Sequence, residues 1–298
     1  MQPKRGIRAI ATCLAVAAIG APIAPARARA AAYVISTCQA CYGNAAGDCE
    51  TTPPILTPGA PSNILRTYGG SDGYSFQAAA ASTTDFAAFG LFARASGFVD
   101  PPGDDATFLG NDTRIGRAFG TFSDVVTAGE GGASGFLRIP LHATGSTVVE
   151  WQNGASYVQL GLSCSSNLPG SPTTLGPCTG AGRNITTSGP IDEAFQVDVP
   201  IVLGQPVQIT IQMNLGAGTG YGYGNLVPFA GQAEGSVGAD SSGAIVLDAA
   251  KSPIPGAPIS LGESGHDYQN APEASSSLAA GAAFAALTSL RDRRRWLV

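Results

Sequence analysis

Positive charge is scarce in this sequence. Of 298 residues only 16 are lysine or arginine, and 12% are charged at all. Nine of the 16 crowd into the two ends: Lys4, Arg5, Arg8, Arg27 and Arg29 at the start, and Arg291, Arg293, Arg294 and Arg295 at the finish. With the ends set aside, residues 31–271 keep seven basic residues against nineteen acidic ones, a formal charge of −12. So acidic a body cannot neutralise a row of phosphates, which argues against nucleic acid and anionic lipid as partners.

Histidine is scarcer still. His142, in "RIPLHATG", and His266, in "GESGHDY", are the whole supply. A Ser-His-Asp site also needs a serine on a shaped turn, and no G-x-S-x-G occurs. Both histidines therefore read as structural or solvated, and no catalytic residue is assigned. No body segment carries a long apolar stripe of helical period, which excludes a helical core.

What the chain has in quantity is glycine (40), proline (21) and a hydrophobic content of 44%, too high for a chain unable to bury a core. The apolar residues fall in short runs: 73–80, 87–95, 136–143, 157–164, 194–202 and 207–215. Val207, Ile209, Ile211, Met213 and Leu215 alternate with Gln208, Thr210, Gln212 and Asn214. That two-residue period marks a strand with one buried face. Turn-rich stretches such as "AGEGGASG" and "GADSSG" separate the runs. The expected fold class is all-β: one antiparallel two-sheet β-sandwich ectodomain over 31–271, jelly-roll-like. Within it, 194–215 is expected to form two adjacent antiparallel strands turning at "LGQP" (203–206), with Gly204 at positive φ.

The body holds five cysteines, Cys38, Cys41, Cys49, Cys164 and Cys178. Cys164 and Cys178 bracket a Pro/Gly/Ser loop and are expected to pair, contributing about 3 kcal/mol at most on a chain-entropy basis. The trio Cys38, Cys41 and Cys49 can form one internal pair and leaves one thiol over. "CQACYGNAAGDC" has Tyr42 where a haem-attachment histidine would stand and lacks a fourth zinc ligand nearby, so it reads as a disulfide-pinned N-terminal loop without cofactor or metal. Asp100, Asp104, Asp105, Asn111 and Asp112 cluster oxygens without EF-hand spacing and read as turn residues. Tyr221 and Tyr223, in "GTGYGYGN", suit either a sugar-stacking surface or a glycine-rich hairpin tip.

The ends carry an address. Residues 1–30 combine a basic start, an apolar run from Ile10 to Ile23 and small-x-small sites at Ala26–Ala28 and Ala28–Ala30, the plan of a signal helix removed by signal peptidase. Cys13 leaves with it. Residues 272–298 run from Pro272-Glu273-Ala274 through an uncharged segment, Ser275–Leu290, to Arg291, Arg293, Arg294 and Arg295. This layout resembles the PEP-CTERM sorting signal of exported Gram-negative proteins: Pro272 and Glu273 match its first two motif positions, Ala274 replaces the second proline, and Asp292 interrupts the basic cluster. Stretches 116–146, 195–220 and 231–268 are similar to PEP-CTERM ectodomains. They include a Ser/Ala-rich strand ending in a Ser-Asp turn and "SPIPG" ahead of the tail.

The resemblance implies an exosortase-type processing enzyme as partner and transient inner-membrane anchoring through the C-terminal sorting helix. The implied destination is secretion or the outer cell surface, among extracellular polysaccharide. It implies no defined activity. The leading expectation is a non-enzymatic surface or matrix protein; a secreted polysaccharide-active hydrolase or lyase on the same scaffold stays open.

Overall fold

The computed structural model describes residues 32–42, 49–69, 74–99, 113–169, 171, 173–176, 178, 180–220 and 229–270. The proposed signal helix, the sorting segment, the Asp100–Asp112 loops, and Tyr221 and Tyr223 all lie outside these residues. Among the described residues there are thirteen strands and no helix. In chain order they are β1 (Tyr33–Tyr42), β2 (Cys49–Thr51), β3 (Ser62–Gly69), β4 (Tyr74–Asp85), β5 (Ala88–Val99), β6 (Thr113–Thr127) and β7 (Ser134–Gln152). Then come β8 (Ala155–Asn167), β9 (Ala181–Ile185), β10 (Gly189–Val202), β11 (Pro206–Gly220), β12 (Phe229–Ser241) and β13 (Ile245–Leu247). Two antiparallel sheets result. Sheet A has the order β2-β1-β6-β11-β8-β9, and sheet B the order β10-β7-β12-β5-β4-β3 with β13 added against β7.

Alternation explains the sandwich. Val207, Ile209, Ile211, Met213 and Leu215 of β11 are buried, and the intervening Gln208, Thr210, Gln212 and Asn214 are half-buried on the other face. In sheet B, Leu137, Ile139, Leu141 and Ala143 of β7 point inward in the same way, as do Val197, Val199 and Ile201 of β10. Phe89 of β5 and Phe122 of β6 meet between the sheets with ring centroids 5.6 Å apart. Small residues let the sheets approach elsewhere: a side chain at Gly116 in β6 would run into the carbonyl oxygens of Ala79 and Arg94.

Three sequence expectations need correction. Residues 194–215 form two strands with the expected inward faces, but the strands are not neighbours. β10 pairs with β7 in sheet B, and β11 with β6 and β8 in sheet A. The turn between them therefore crosses from one sheet to the other. It does so because its backbone groups are satisfied by the β6–β7 crossing beside it: Leu203 N donates to Ala133 O at 2.8 Å, and Gly204 N to Ala128 O at 3.0 Å. Gly204 has the expected positive φ, 75°. Second, the cysteine-rich N-terminal stretch begins as a strand: Tyr33–Tyr42 pairs with β6 along its whole length. Ser123-Asp124 likewise sits within β6, where the resemblance places a turn.

The cysteines resolve into two disulfides, Cys41–Cys49 joining β1 to β2, and Cys164–Cys178, with Cα atoms 4.0 and 5.6 Å apart respectively. Cys38 is the leftover thiol, buried between the sheets. Two disulfides are consistent with an extracellular location.

Candidate functional site

The outer face of sheet B holds a cleft of about 650 Å³. Five adjacent strands build it, and their registers align its side chains in rows. Glu150 of β7 stands opposite Gln232 of β12, Gln232 opposite Ser96 of β5, Ser96 opposite Gln77 of β4, and Gln77 opposite Thr67 of β3. The next row outward runs Gln152, Ala230, Phe98 and Ser75. All of these residues line the cleft, together with Arg94 and the edge residue Trp151, which is 58% exposed. Polar groups gather here because each is one step out of phase with a core residue: Ala78, Ala95, Val149 and Ala233 are buried beneath them. Under the floor, Phe76 and Phe229 stack with centroids 6.4 Å apart, and Phe76 packs where a side chain on Gly97 would otherwise go.

Arg94 is the unusual member. Its side chain is only 10% exposed, yet its Nε makes no hydrogen bond. The nearest carboxyl oxygen, from Glu234 directly opposite on β12, is 3.8 Å away, too far for one. A buried guanidinium group with an unmet donor is costly, and Arg94 stands in the cleft lining. Sequence reading did not single out these cleft residues. Arg94 alone had a local signal, a basic residue inside the apolar run "FGLFARA".

Elsewhere on the same face, His142 Nε2 lies 2.6 Å from Asp192 Oδ1. Both side chains are open to solvent, at 53% and 78% exposure, and neither lines the cleft. No hydroxyl or thiol hydrogen-bonds the ring among the described residues. Nearer the β7–β10 edge, Arg138 grips Asp198 through two hydrogen bonds of 2.7 and 3.0 Å, and Lys251 adds a third at 3.0 Å. These bonds, Arg138 first, hold the Asp198 carboxyl below the ordinary aspartate range despite its burial, and raise the Arg138 pKa in return.

His266 belongs to a different structure, the lock that ties residues 254–268 across the end of the sandwich. Asp124, fully buried in β6, accepts hydrogen bonds from Ser264 N (3.1 Å), Ser264 Oγ (2.5 Å) and Tyr268 OH (3.1 Å). Burial, and then the adjacent Asp124, push the Tyr268 hydroxyl pKa upward. His266 stands edge-on to Tyr268 at 4.6 Å, and burial lowers its pKa against the opposing pull of Asp124, Asp85 and Asp267.

No cluster of three or more His, Cys, Asp or Glu able to hold a metal occurs among the described residues. Nor is any helix there long and apolar enough to cross a membrane. Pro272, Glu273, Ala274, Arg291, Arg293, Arg294 and Arg295 lie outside the described residues. No protein-family model matches the chain, and no curated protein or solved structure is found similar to it.

Proposed function

We propose that this chain is an exported surface or extracellular-matrix protein, without catalysis of its own, that associates with polysaccharide through the cleft on sheet B. The cleft carries the reading. Amides and hydroxyls from Gln77, Gln152, Gln232, Ser75 and Ser96 sit beside Phe98 and Trp151. Such a lining suits sugars, whose hydroxyls need hydrogen-bonding partners and whose C–H faces suit aromatic rings. The two disulfides fit an oxidising destination. The resemblance of the ends supplies the route: signal peptidase removes residues 1–30, the sorting helix anchors the chain transiently in the inner membrane, and an exosortase-type enzyme acts at Pro272-Glu273. The jelly-roll-like form of the sandwich is supported by its paired crossings, β6–β7 alongside β10–β11.

The test has two arms. A glycan-array screen of the full chain should give binding that is weakened when Gln77 and Gln232 are both replaced by alanine. Intact-mass analysis of extracellular material should show a chain beginning near Ala31 and lacking the residues after Glu273. Recovery of Arg291–Val298 on that material would overturn the processing route.

One observation favours the enzymatic alternative, a polysaccharide hydrolase or lyase. Glu150, in the cleft lining, and Glu234, opposite Arg94 on β12, lie diagonally across the neighbouring strands β7 and β12, and glycoside hydrolysis uses a pair of carboxyl groups. Turnover of a bound glycan that disappears in Glu150→Gln would establish that reading in place of the first.

A further inference from the structure

We infer that the cleft takes a linear, uncharged glycan laid across the strands, hydrogen-bonded near its middle by the buried guanidinium of Arg94. This rests on the glycan reading of the cleft and adds the ligand's class and direction.

The direction follows from the register. Glu150, Gln232, Ser96, Gln77 and Thr67 face outward in one line across five strands. Neighbouring strands lie about 4.8 Å apart, so four steps span roughly 19 Å. A single sugar ring covers a fraction of that row, whereas a chain of several sugars follows it. The amides of Gln77 and Gln232 each offer donors and an acceptor, and the hydroxyls of Ser96 and Thr67 do the same. That matches vicinal sugar hydroxyls, which also donate and accept.

Charge selects the class. The cleft lining holds one guanidinium group, Arg94, and one carboxyl group, Glu150, with the Glu234 carboxyl 3.8 Å from Arg94 Nε. Around them the body carries −12. A polyuronate or sulfated chain would bring a negative charge with each repeat into an already negative field. A cationic amino-sugar chain suits that field in sign, but an ammonium group set on Arg94 meets a like charge and offers the guanidinium no acceptor. A neutral hydroxyl oxygen accepts a hydrogen bond from Arg94 where that residue lines the cleft, without adding charge of either sign.

The inference is tested by calorimetric titration of the full chain with three series of two to six units: neutral gluco-, manno- and galacto-oligosaccharides, oligogalacturonates, and chitosan oligomers. The expected result is binding of a neutral series. Affinity should rise at least about tenfold from dimer to pentamer and change less than about twofold between low and high salt. Gln77→Ala and Gln232→Ala, at half-exposed positions that leave the core intact, should each weaken binding about threefold to tenfold with an unchanged melting temperature. Arg94→Gln should weaken it further. Salt-sensitive binding of the galacturonate or chitosan series alone, lost in the glutamine variants, would overturn the neutral class while leaving the cleft a glycan site. Neutral binding indifferent to both glutamine variants would also overturn it, and binding of none of the three series would remove the underlying reading as well.

Discussion

Tyr268 reaches back 144 residues along the chain to donate its hydroxyl hydrogen bond to Asp124, 3.1 Å away in β6. Both residues are buried, and the same carboxyl group also holds Ser264. The segment that follows β13 is thereby locked to the opposite sheet. It lies just before the stretch that resembles a sorting motif, and its last described turn is fastened to the core.

Tyr268→Phe keeps the ring in place and removes only the hydroxyl. It should destabilise the protein by about 1–3 kcal/mol, since Asp124 loses one of its buried partners. Asp124→Ala should cost more, because Tyr268 and Ser264 are both left unpaired. A double-mutant cycle read by denaturant unfolding should give a coupling of at least about 0.5 kcal/mol, and additivity would show that the hydroxyl contact carries no energy.

The Asp198 cluster should make stability acid-sensitive in a defined direction. Its folded pKa lies below the unfolded value of about 3.9, so its contribution is present above that pH and is lost as pH falls through the lower folded value. Asp198→Asn should therefore destabilise at pH 7 by about 1–3 kcal/mol. The difference from wild type should shrink as urea melts are repeated toward pH 3. A gap independent of pH would contradict the charge-based account.

Strand β11 tests the facing of the sandwich. Ile211 is fully buried, and Gln212 is half-exposed with Ser163 Oγ donating to its side-chain oxygen at 3.4 Å. Ile211→Ala should cost about 2–5 kcal/mol and Gln212→Ala well under about 0.5. Comparable losses in thermal melts would overturn the one-face-buried assignment of this strand.

Thiol chemistry gives a fourth handle on the body. Non-reducing peptide mapping should recover Cys41 linked to Cys49 and Cys164 linked to Cys178. Burial pushes the Cys38 thiol up to about 12, a hydrogen bond to Ser62 notwithstanding. An alkylating reagent at pH 8 should leave Cys38 unmodified in the native protein and label it once the protein is unfolded. Rapid native labelling would place that thiol at the surface.

Local pattern carried much of the fold. The alternation in 194–202 and 207–215 identified which side chains of β10 and β11 enter the core, because side-chain direction along a strand depends only on position within it. Of the other runs, 136–143 and 157–164 fall on strands, as does 73–80 from Tyr74 onward. The loop bounded by Cys164 and Cys178 was legible from spacing. By contrast, β1 was hidden by its cysteines and small polar residues, which owe their burial to the pairing with β6.

Neighbourhood was a different matter. A turn at 203–205 serves a hairpin or a crossing equally well in local terms; the partners of Leu203 and Gly204, seventy or more residues away in sequence, decide for the crossing. The cleft shows the same division. Gln77, Ser96, Glu150 and Gln232 are each ordinary outward residues, and nothing within reach of any one of them in sequence announces the others. Two-residue alternation sets the direction of a side chain through its own backbone, whereas strand order and register depend on hydrogen bonds between distant segments. The sequence by itself determined the faces, and the tertiary structure alone decided which faces meet and what they enclose.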